Sequence, residues 1–506
     1  MVMRVTNQIQ QSNSLQNIFR ITEDLFQANQ RIATGRRINK ASDDPLGIQD
    51  TLSLRSSIAQ IQQFGRNIDN NRLFLNTADS TLDSVGLGIT RALELAQGSS
   101  GGTSSAETRA MTALEVQAIL DQTIQDANTQ LKGNYIFGGT ELRNAPYQAN
   151  ASGLGAVYSG NSDFLQVEVG SNLTIPVTRP GPDVFGTDMN PALSVNTLLA
   201  DLNGGSGVTL GSFNITDRAG NAAVINLGGA VTVNDVITAI NGAGINVTAS
   251  LNASQTGLQL TDTSGTILQP LTVTEAGSTT AQDLGILAVN DGNITGGNLN
   301  PVLTNATLIA DLNGGNGLTL GQVDIVNGAL TGTVDLSAAV TIGDVLATLN
   351  GAGLNITASI NSQGNALQVV SNDPTTTAVI SEVAGGDTAF LLGIGGGNVF
   401  TALDTLIQAL ERDDSAGILA SFENLNASQN TIISARAKYG ALVRTLDNLE
   451  IQHEANEVSQ TTQMSEIEDS DIVKDASDVA ALQLALEATL NTTARILQPS
   501  LLDFLR

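Results

Sequence analysis

A group of charged side chains lies close to the N-terminus, in the stretch QRIATGRRINKASDDPLGIQ at residues 30–49. Its residues 36–44 contain three cations followed by two adjacent carboxylates: Arg36, Arg37, Lys40, Asp43 and Asp44. Paired carboxylates could act as a general acid and a general base. However, Asp44 directly precedes Pro45, which is the pattern of a helix N-cap followed by a first-turn proline, and Asp43 can pair with any of the three cations. We therefore interpret both carboxylates as structural rather than catalytic.

The sequence contains few of the other residues that enzymes use for chemistry. It has no cysteine, which excludes disulfides and thiolate chemistry, and its single histidine, His453, excludes zinc motifs that need a histidine pair. No Gly-x-x-x-x-Gly-Lys-Ser/Thr phosphate loop occurs, and the repeated Asp-Leu-Asn-Gly-Gly stretch lacks the acidic ligands of a calcium loop. We predict that the protein is not an enzyme and has no catalytic residues, no metal and no cofactor.

Charge and hydropathy exclude further classes. The formal net charge of −27 argues against nucleic-acid binding, which requires a basic surface. The N-terminal stretch MVMRVTNQIQQSNS is too polar for a signal peptide, and no apolar run is long enough for a membrane span. These features fit a cytosolic protein, and they fit equally a protein exported without a cleaved hydrophobic signal.

The elements that must position the charged group are long helices in the two flanks. Apolar residues precede Gly35 at alternating three- and four-residue spacing, which predicts a helix there. Further helices are predicted over about 106–131 and from Asp471. His453 lies on a helical column, where we expect it to be packed or at a boundary. Two seven-residue columns mark the longest helices: Leu54, Ile61, Ile68, Leu75, Leu82 and Ile89, and Ile418, Leu425, Ile432, Tyr439, Leu446 and His453. Since each stripe needs a partner, we expect the flanks to pack on each other with the middle inserted between them.

The C-terminal tail LQPSLLDFLR is more apolar than a free tail requires. We expect it to be buried against something, such as another subunit. The residues concerned are Leu501, Leu502, Phe504 and Leu505.

The middle of the chain contains a duplicated module. The stretch ADLNGGSGVTLG at 200–211 returns as ADLNGGNGLTLG at 310–321, and VTVNDVITAINGAGINVTASLN at 231–252 returns as VTIGDVLATLNGAGLNITASIN at 340–361. Within each copy, one short helix before strands is expected. The fold class is therefore predicted as α+β and multidomain, with two small α+β units in a β-rich middle.

Several long motifs resemble a known family. MRVTNQIQ, RIATGRRINKASDDPLGI, DSTLDSVGLGITRALELAQ and LKGNYIFGGTELRNAPY, together with SEIEDSDIVKDASD and TARILQPSLLDFLR, are similar to the two ends of the bacterial hook-filament junction family (flagellar hook-associated protein 3) of the flagellin superfamily. The flanking resemblance covers nearly all of residues 3–147 and about 415–506. The central copies more loosely resemble the repeat inserted in flagellins and hook-associated proteins.

The resemblance implies a domain organisation. Residues 1–150 would form the N-terminal half of a flagellin-like discontinuous helical bundle, with a β-hairpin near 134–147, and residues 401–506 would form the C-terminal half. Residues 151–197 would be a β-rich connecting segment, and 198–290 and 308–400 the two inserted repeats.

The resemblance also implies a structural adaptor that joins the hook, through hook-associated protein 1, to the flagellin filament. Its partners would be hook-associated protein 1, flagellin, copies of itself in a ring, and an export chaperone at the C-terminal helices, and it would be extracellular on the flagellum. The charged group and the apolar tail then become candidate subunit-interface residues, although local capping remains an alternative for the arginines. Two other functions stay open: a flagellin, and a secreted adhesin or enzyme carried on the flagellar surface.

Overall fold

The computed structural model describes residues 2–102, 104–149, 155–161, 163–186, 189–383 and 385–497. Helices dominate both ends of the chain and short strands dominate the middle, so the predicted α+β class is confirmed at this level. The chain divides into two compact units. The first holds the described parts of Met1–Asp69, Glu168–Leu173 and Leu446–Arg506, and the second those of Asn70–Val167 and Thr174–Thr445.

Three helices open the chain: α1 at Val2–Thr34, α2 at Pro45–Ser99 and α3 at Ala106–Ala127. Helix α1 ends where the sequence offers a glycine, because Gly35 adopts a φ of 67° and its N–H donates to the carbonyl of Arg31. Helix α3 begins after Ser105, whose hydroxyl accepts the Thr108 N–H. It ends four residues before the expected position 131, because the chain enters a strand there.

Short antiparallel pairs follow. Their strands are β1 at Gln130–Leu131, β2 at Asn134–Tyr135, β3 at Tyr147–Ala149, β4 at Ala156–Tyr158, β5 at Gln166–Gly170 and β6 at Leu173–Pro176. The family resemblance implies one hairpin near 134–147, whereas β1 pairs with β2 and β3 with β4. Lys132 and Gly133 make the first turn because both adopt positive φ, of 53° and 82°. The Asn161 side-chain oxygen accepts the Thr140 N–H in the irregular stretch between the two pairs.

The first α+β unit, here called module 1, has a continuous buried core from Leu193 to Leu299. Its strands lie in the orders β12-β11-β7-β8 and β13-β10-β9. Thr232 and Asp235 form a capping box at the start of its longer helix. Its elements are β7 at Ser212–Thr216, β8 at Ala222–Asn226, α4 at Val233–Asn241, β9 at Val247–Leu251, β10 at Leu258–Asp262, β11 at Leu271–Glu275, α5 at Thr280–Asp283, β12 at Val289–Asn290 and β13 at Ile294–Thr295.

The second unit, module 2, has its core between Leu303 and Ile394, joined by Met189. Its strands lie in the orders β15-β14-β18 and β16-β17, and Thr341 and Asp344 repeat the capping box of module 1. Its elements are β14 at Gln322–Asn327, β15 at Leu330–Asp335, α6 at Ile342–Asn350, β16 at Ile356–Ile360, β17 at Leu367–Ser371, β18 at Ala378–Glu382 and α7 at Thr388–Leu391.

Three helices close the described chain: α8 at Val399–Glu411, α9 at Ser415–Glu468 and α10 at Ile472–Leu497. Helix α8 packs on α3 in the second unit, and α10 packs along α1 in the first. Most members of the two seven-residue columns are buried, and these are Ile61, Ile68, Leu75, Leu82, Ile89, Ile418, Leu425, Ile432, Tyr439 and Leu446. The burial of a column that recurs every seven residues is what a coiled-coil-like seam requires.

Candidate functional site

The loop between α1 and α2 is fastened to the loop between α9 and α10. The Arg37 N–H donates to the Glu468 carbonyl at 2.6 Å, and the Ser470 N–H donates to the Gly35 carbonyl at 3.0 Å. Arg36 and Asp469 thereby form an antiparallel bridge. Two segments that lie more than four hundred positions apart in the sequence thus meet at one place within the first unit.

The buried carboxylate of Glu468 binds two arginines where these loops meet. The Glu468 side chain is only 7% exposed and accepts hydrogen bonds from Arg55 Nη2 at 2.5 and 2.6 Å. Arg36 Nη1 lies 3.0 Å from Glu468 Oε1. Two arginines therefore neutralise one desolvated carboxylate at the C-terminal end of α9, where the helix dipole alone would disfavour a negative charge.

The other members of the predicted charged group make local contacts. The Asp44 Oδ1 accepts the Gly47 N–H at 2.9 Å, and Arg37 Nη2 lies 3.2 Å from Asp44 Oδ2. The Gly47 N–H and the Arg37 guanidinium together lower the pKa of the Asp44 carboxyl. Asp44 is thus the helix cap that the sequence indicated, with an ion pair in addition.

Asp43 does not bind a cationic side chain as its main partner. Its Oδ2 accepts the backbone N–H of Lys40 at 2.8 Å and of Asn39 at 3.0 Å, and these two donors lower its pKa. The Lys40 ammonium forms no ion pair with any residue that the structure describes. Among the five predicted residues, Lys40 is therefore the one left available for another molecule.

Sequence reasoning missed Glu468, Arg55, Arg31 and Asp475. Arg31 Nε lies 2.9 Å from Asp475 Oδ1 and links α1 to α10. The signal present in the sequence was the acidic stretch SEIEDSD in one flank, matching the basic stretch GRRINK in the other. Charge complementarity between the flanks could have paired the two stretches, though not the individual residues.

The charged residues surround a groove of about 520 Å³. Its walls come from the α1–α2 loop, the α9–α10 loop and the first turns of α10, and carry side chains of both signs, among them Arg37, Lys40, Asp43, Lys474 and Asp478. Within the described ranges no group of three or more His, Cys, Asp or Glu residues could hold a metal ion. A groove of mixed charge is suited to contact with another protein surface, where opposite charges fix the register.

Large apolar side chains on α1 and α10 lie uncovered. Phe19 and Phe26 are 72% and 61% exposed, and Val473 and Leu484 are 82% and 70% exposed. These side chains form an exposed apolar surface on two helices that pack on each other. The predicted tail residues Leu501, Leu502, Phe504 and Leu505 lie outside the described residues.

His453 is a packed residue on α9. Its Nε2 lies 2.7 Å from the Val169 carbonyl oxygen, so this nitrogen donates the hydrogen bond, and its ring centroid lies 5.6 Å from that of Phe64. No helix in the described ranges combines the length and the apolar character needed to cross a bilayer.

Comparison with known proteins agrees with this picture of the ends of the chain. Residues 5–141 match the model of the bacterial flagellin N-terminal helical region. Flagellar hook-associated protein 3 of Salmonella typhimurium is 27% identical to this chain over 190 residues, covering 37% of this chain and 57% of that protein. Polar flagellin F of Vibrio parahaemolyticus is 26% identical over 254 residues, covering 49% of this chain and 62% of that protein.

The alignments span less than two thirds of each relative. A crystal structure of flagellar hook-associated protein 3 from Legionella pneumophila covers 82% of this chain and 98% of its own length, at 16% identity and a TM-score of 0.39, a likeness too low to support an assignment. The relatives are structural proteins of the flagellum, which fits the expectation of a non-enzyme. These matches show that residues 5–141 are similar to the N-terminal helical region of bacterial flagellins and that flagellar hook-associated protein 3 is among the relatives of this chain.

Proposed function

We propose that this chain is a structural adaptor of the bacterial flagellum that joins the hook to the flagellin filament. The observation that carries the proposal is the pairing of α1 with α10, with Phe19, Phe26 and Leu484 exposed, in a chain whose residues 5–141 match the flagellin N-terminal helical region. A helix pair that buries one face and exposes another apolar face has a surface left for neighbouring subunits. Head-to-tail contacts of this kind generate rings or helices.

The proposed partners are hook-associated protein 1 on the hook side, flagellin on the filament side, and copies of this chain in a ring. Arg36, Arg37, Lys40, Asp43 and Asp44 would contribute charged contacts to these interfaces, and the apolar C-terminal residues would be buried in them. An export chaperone would cover the C-terminal helices before assembly. The protein would reach the outside of the cell through the flagellar channel, without a cleaved signal peptide.

The remaining domain assignments belong to the same proposal. The helical ends would form a discontinuous bundle of the flagellin type, and modules 1 and 2 would be repeats inserted into it. Residues 151–197 would connect the bundle to the repeats. The matching capping boxes at Thr232 and Thr341 support a common origin of the two modules.

Localisation in cells tests the proposal. In the bacterium that encodes this chain, removal of its gene should leave hooks without filaments while flagellin is secreted into the medium. Restoring an epitope-labelled chain should return the filaments, with gold label at the hook-filament boundary only. Filaments that persist without the gene would overturn the proposal.

The second candidate is a flagellin, which the alignment to polar flagellin F over 49% of this chain favours. A flagellin would place label along the whole filament in the same cells. It would also polymerise into long filaments when the purified chain is seeded. A junction protein should stay short or monomeric in that assay.

A further inference from the structure

Modules 1 and 2 exchange equivalent contacts where they meet. The Ala192 N–H donates to the Asp311 carbonyl at 2.6 Å, and the equivalent Val302 N–H donates to the Asp201 carbonyl at 2.9 Å. Next to these contacts, the Leu193 N–H donates to the Gln255 carbonyl within module 1, and the equivalent Leu303 N–H donates to the Gly364 carbonyl within module 2, both at 2.6 Å. The meeting place therefore has two related sides, and any difference between them comes from side chains.

The two sides differ at one turn position. The turn NASQTGL at 252–258 aligns with NSQGNAL at 361–367, so Gln255 stands where module 2 has Gly364. Both residues adopt positive φ, 52° for Gln255 and 67° for Gly364. Glycine adopts this conformation freely, whereas a residue with a Cβ rarely does. The turn folds with glycine in module 2, so the fold itself does not require a glutamine in module 1.

The glutamine occupies space that the other side fills with valine. A Cβ at Gly364 would lie 2.8 Å from Val302, which closes that side of the meeting place. On the module 1 side the equivalent of Val302 is the smaller Ala192, and the Gln255 Oε1 lies against Gly315. The result is an open cleft of about 350 Å³ on this side, into which Gln255 contributes its amide.

The cleft presents polar groups that the protein does not use. Within the described residues, the side chains of Gln255, Asn300 and Asp163 make no hydrogen bond. Asn298 uses only its Oδ1, which accepts the Asn300 N–H at 2.8 Å. All four line the same cleft. Amide groups offer donors and acceptors side by side, which is the pattern that pairs with neighbouring hydroxyl groups.

The chemistry of the lining selects the ligand class. None of the described lining residues is Lys, Arg or His, so an anionic ligand would find no counter-charge, and Pro191 and Pro301 supply apolar surface beside the amides. We propose that this cleft binds an uncharged carbohydrate, one or two sugar units of which enter between the modules. The size lies within the range of small-molecule sites.

The test uses the full-length chain and saturation-transfer NMR with chitotriose, maltotriose and mannotriose, and with the negatively charged 3′-sialyllactose as a counter-probe. We expect at least one neutral trisaccharide to bind and the charged probe not to bind. Gln255→Gly should weaken that binding at least tenfold without lowering Tm, since it introduces the residue that module 2 uses. Gln282→Ala, an exposed glutamine of the same module outside the cleft, should leave binding unchanged.

A second variant also changes Ala192, which lines the cleft together with Gln255. Gln255→Gly combined with Ala192→Val converts this side into the residues of the other side and should abolish binding. Absence of binding by all three neutral sugars would overturn the proposal, as would equal binding of 3′-sialyllactose or unchanged binding by both variants. A change in self-association on Gln255→Gly, measured by sedimentation without sugar, would assign the cleft to a second copy and overturn it as well.

Discussion

The ring centroid of Tyr147 lies 4.9 Å from that of Phe400. The chain therefore enters the segment that contains modules 1 and 2 close to the point at which it leaves that segment. The rings of Tyr158 and Phe185 complete this contact, at 5.1 and 5.6 Å from Tyr147. The Val399 N–H also donates to the Phe185 carbonyl at 3.2 Å. An aromatic cluster thus closes the base from which modules 1 and 2 extend.

This closure predicts where the modules can be removed. Gly186 lies directly against the Asn398 side-chain amide, so a short Gly-Ser linker between these two residues should span the gap with little entropic penalty. A variant that replaces 187–397 keeps the whole aromatic cluster. A variant that replaces 151–400 removes Tyr158, Phe185 and Phe400 together with strands β4 to β6, and it uncovers Tyr147. We expect the second variant to be less stable than the first by more than about 3–5 kcal/mol, which is the usual penalty for losing a single buried aromatic ring.

The comparison between these two variants has an internal control. Both lose the contacts of module 2 with the start of α9. In these contacts the Asn424 Nδ2 donates to the Ile380 carbonyl at 2.8 Å, and the Oδ2 of Asp414, the residue before α9, accepts the Thr377 N–H. Their difference in urea unfolding, followed by circular dichroism, therefore reports the aromatic cluster together with strands β4 to β6, which only the second variant loses. Equal stability of the two variants would show that the cluster does not hold the base together.

Glu468 is predicted to stabilise the contact between the α1–α2 loop and the α9–α10 loop in the first unit. Glu468→Gln keeps the shape of the side chain but leaves the guanidinium groups of Arg36 and Arg55 without their carboxylate. We expect a loss of about 1–2 kcal/mol in the free energy of unfolding, reduced from the value for fully buried pairs because both arginines are half exposed. Hydrogen exchange over residues 31–44 should rise in the same variant.

The matched control is Glu466→Gln, which removes the same charge two residues earlier on an exposed position of α9. Its effect should stay within about 0.5 kcal/mol, as for most surface substitutions. If the two variants lost the same stability, net charge rather than the buried carboxylate would be responsible.

The sequence predicted the parts of this fold that depend on local periodicity. Leu75 and Tyr439 are buried because a seven-residue repeat fixes one face of a helix, whatever lies opposite. Gly35 and Asp44 act as expected because helix stops and caps depend on neighbouring residues alone. Local patterns of this kind are visible without a partner.

The sequence did not reveal what depends on distant pairing. Glu468 is one of several acidic residues near the end of α9, and only the folded chain brings it to Arg36 and Arg55. The same holds for Asp43, which binds backbone N–H groups instead of the expected side chains, because the loop folds back on its own carboxylate. The cleft beside Gln255 is formed by a turn of module 1 and by Gly315 of module 2, so neither segment alone predicts it.

The last prediction concerns Asp217 in module 1, which is fully buried. Burial raises the pKa of this carboxyl, but hydrogen bonds from Asn221 and Asn246 outweigh burial and lower it to about 2. A carboxyl with a lowered folded-state pKa stabilises the fold above its ordinary pKa and loses that effect as the pH falls towards the folded value. The stabilisation should therefore be complete above about pH 5 and vanish between about pH 4 and pH 2.

Asp217→Asn tests this contribution. The amide replaces one carboxylate oxygen with an NH2 group, which cannot accept the hydrogen bonds that Asn221 and Asn246 donate. At pH 7 the free energy of unfolding should therefore fall by about 1–2 kcal/mol. Near pH 2 the wild-type carboxyl is itself neutral for much of the time, so the difference between wild type and variant should shrink. Module 2 carries Asn327 at the equivalent position, where the amide donates to the carbonyls of Leu354 and Asn355. An amide is thus suited to module 2 and a carboxylate to module 1.

The measurement is urea unfolding of wild type and variant at pH 7, 4 and 2.5, because the difference at each pH cancels the other acidic groups of the chain. Asp291→Asn is the matched control, since Asp291 is an exposed aspartate of the same module with no hydrogen-bond partner among the described residues. The control should show no difference at any pH. A penalty for Asp217→Asn that stayed the same from pH 7 to pH 2.5 would contradict the prediction, because it would arise from altered packing and not from the charge of the carboxylate.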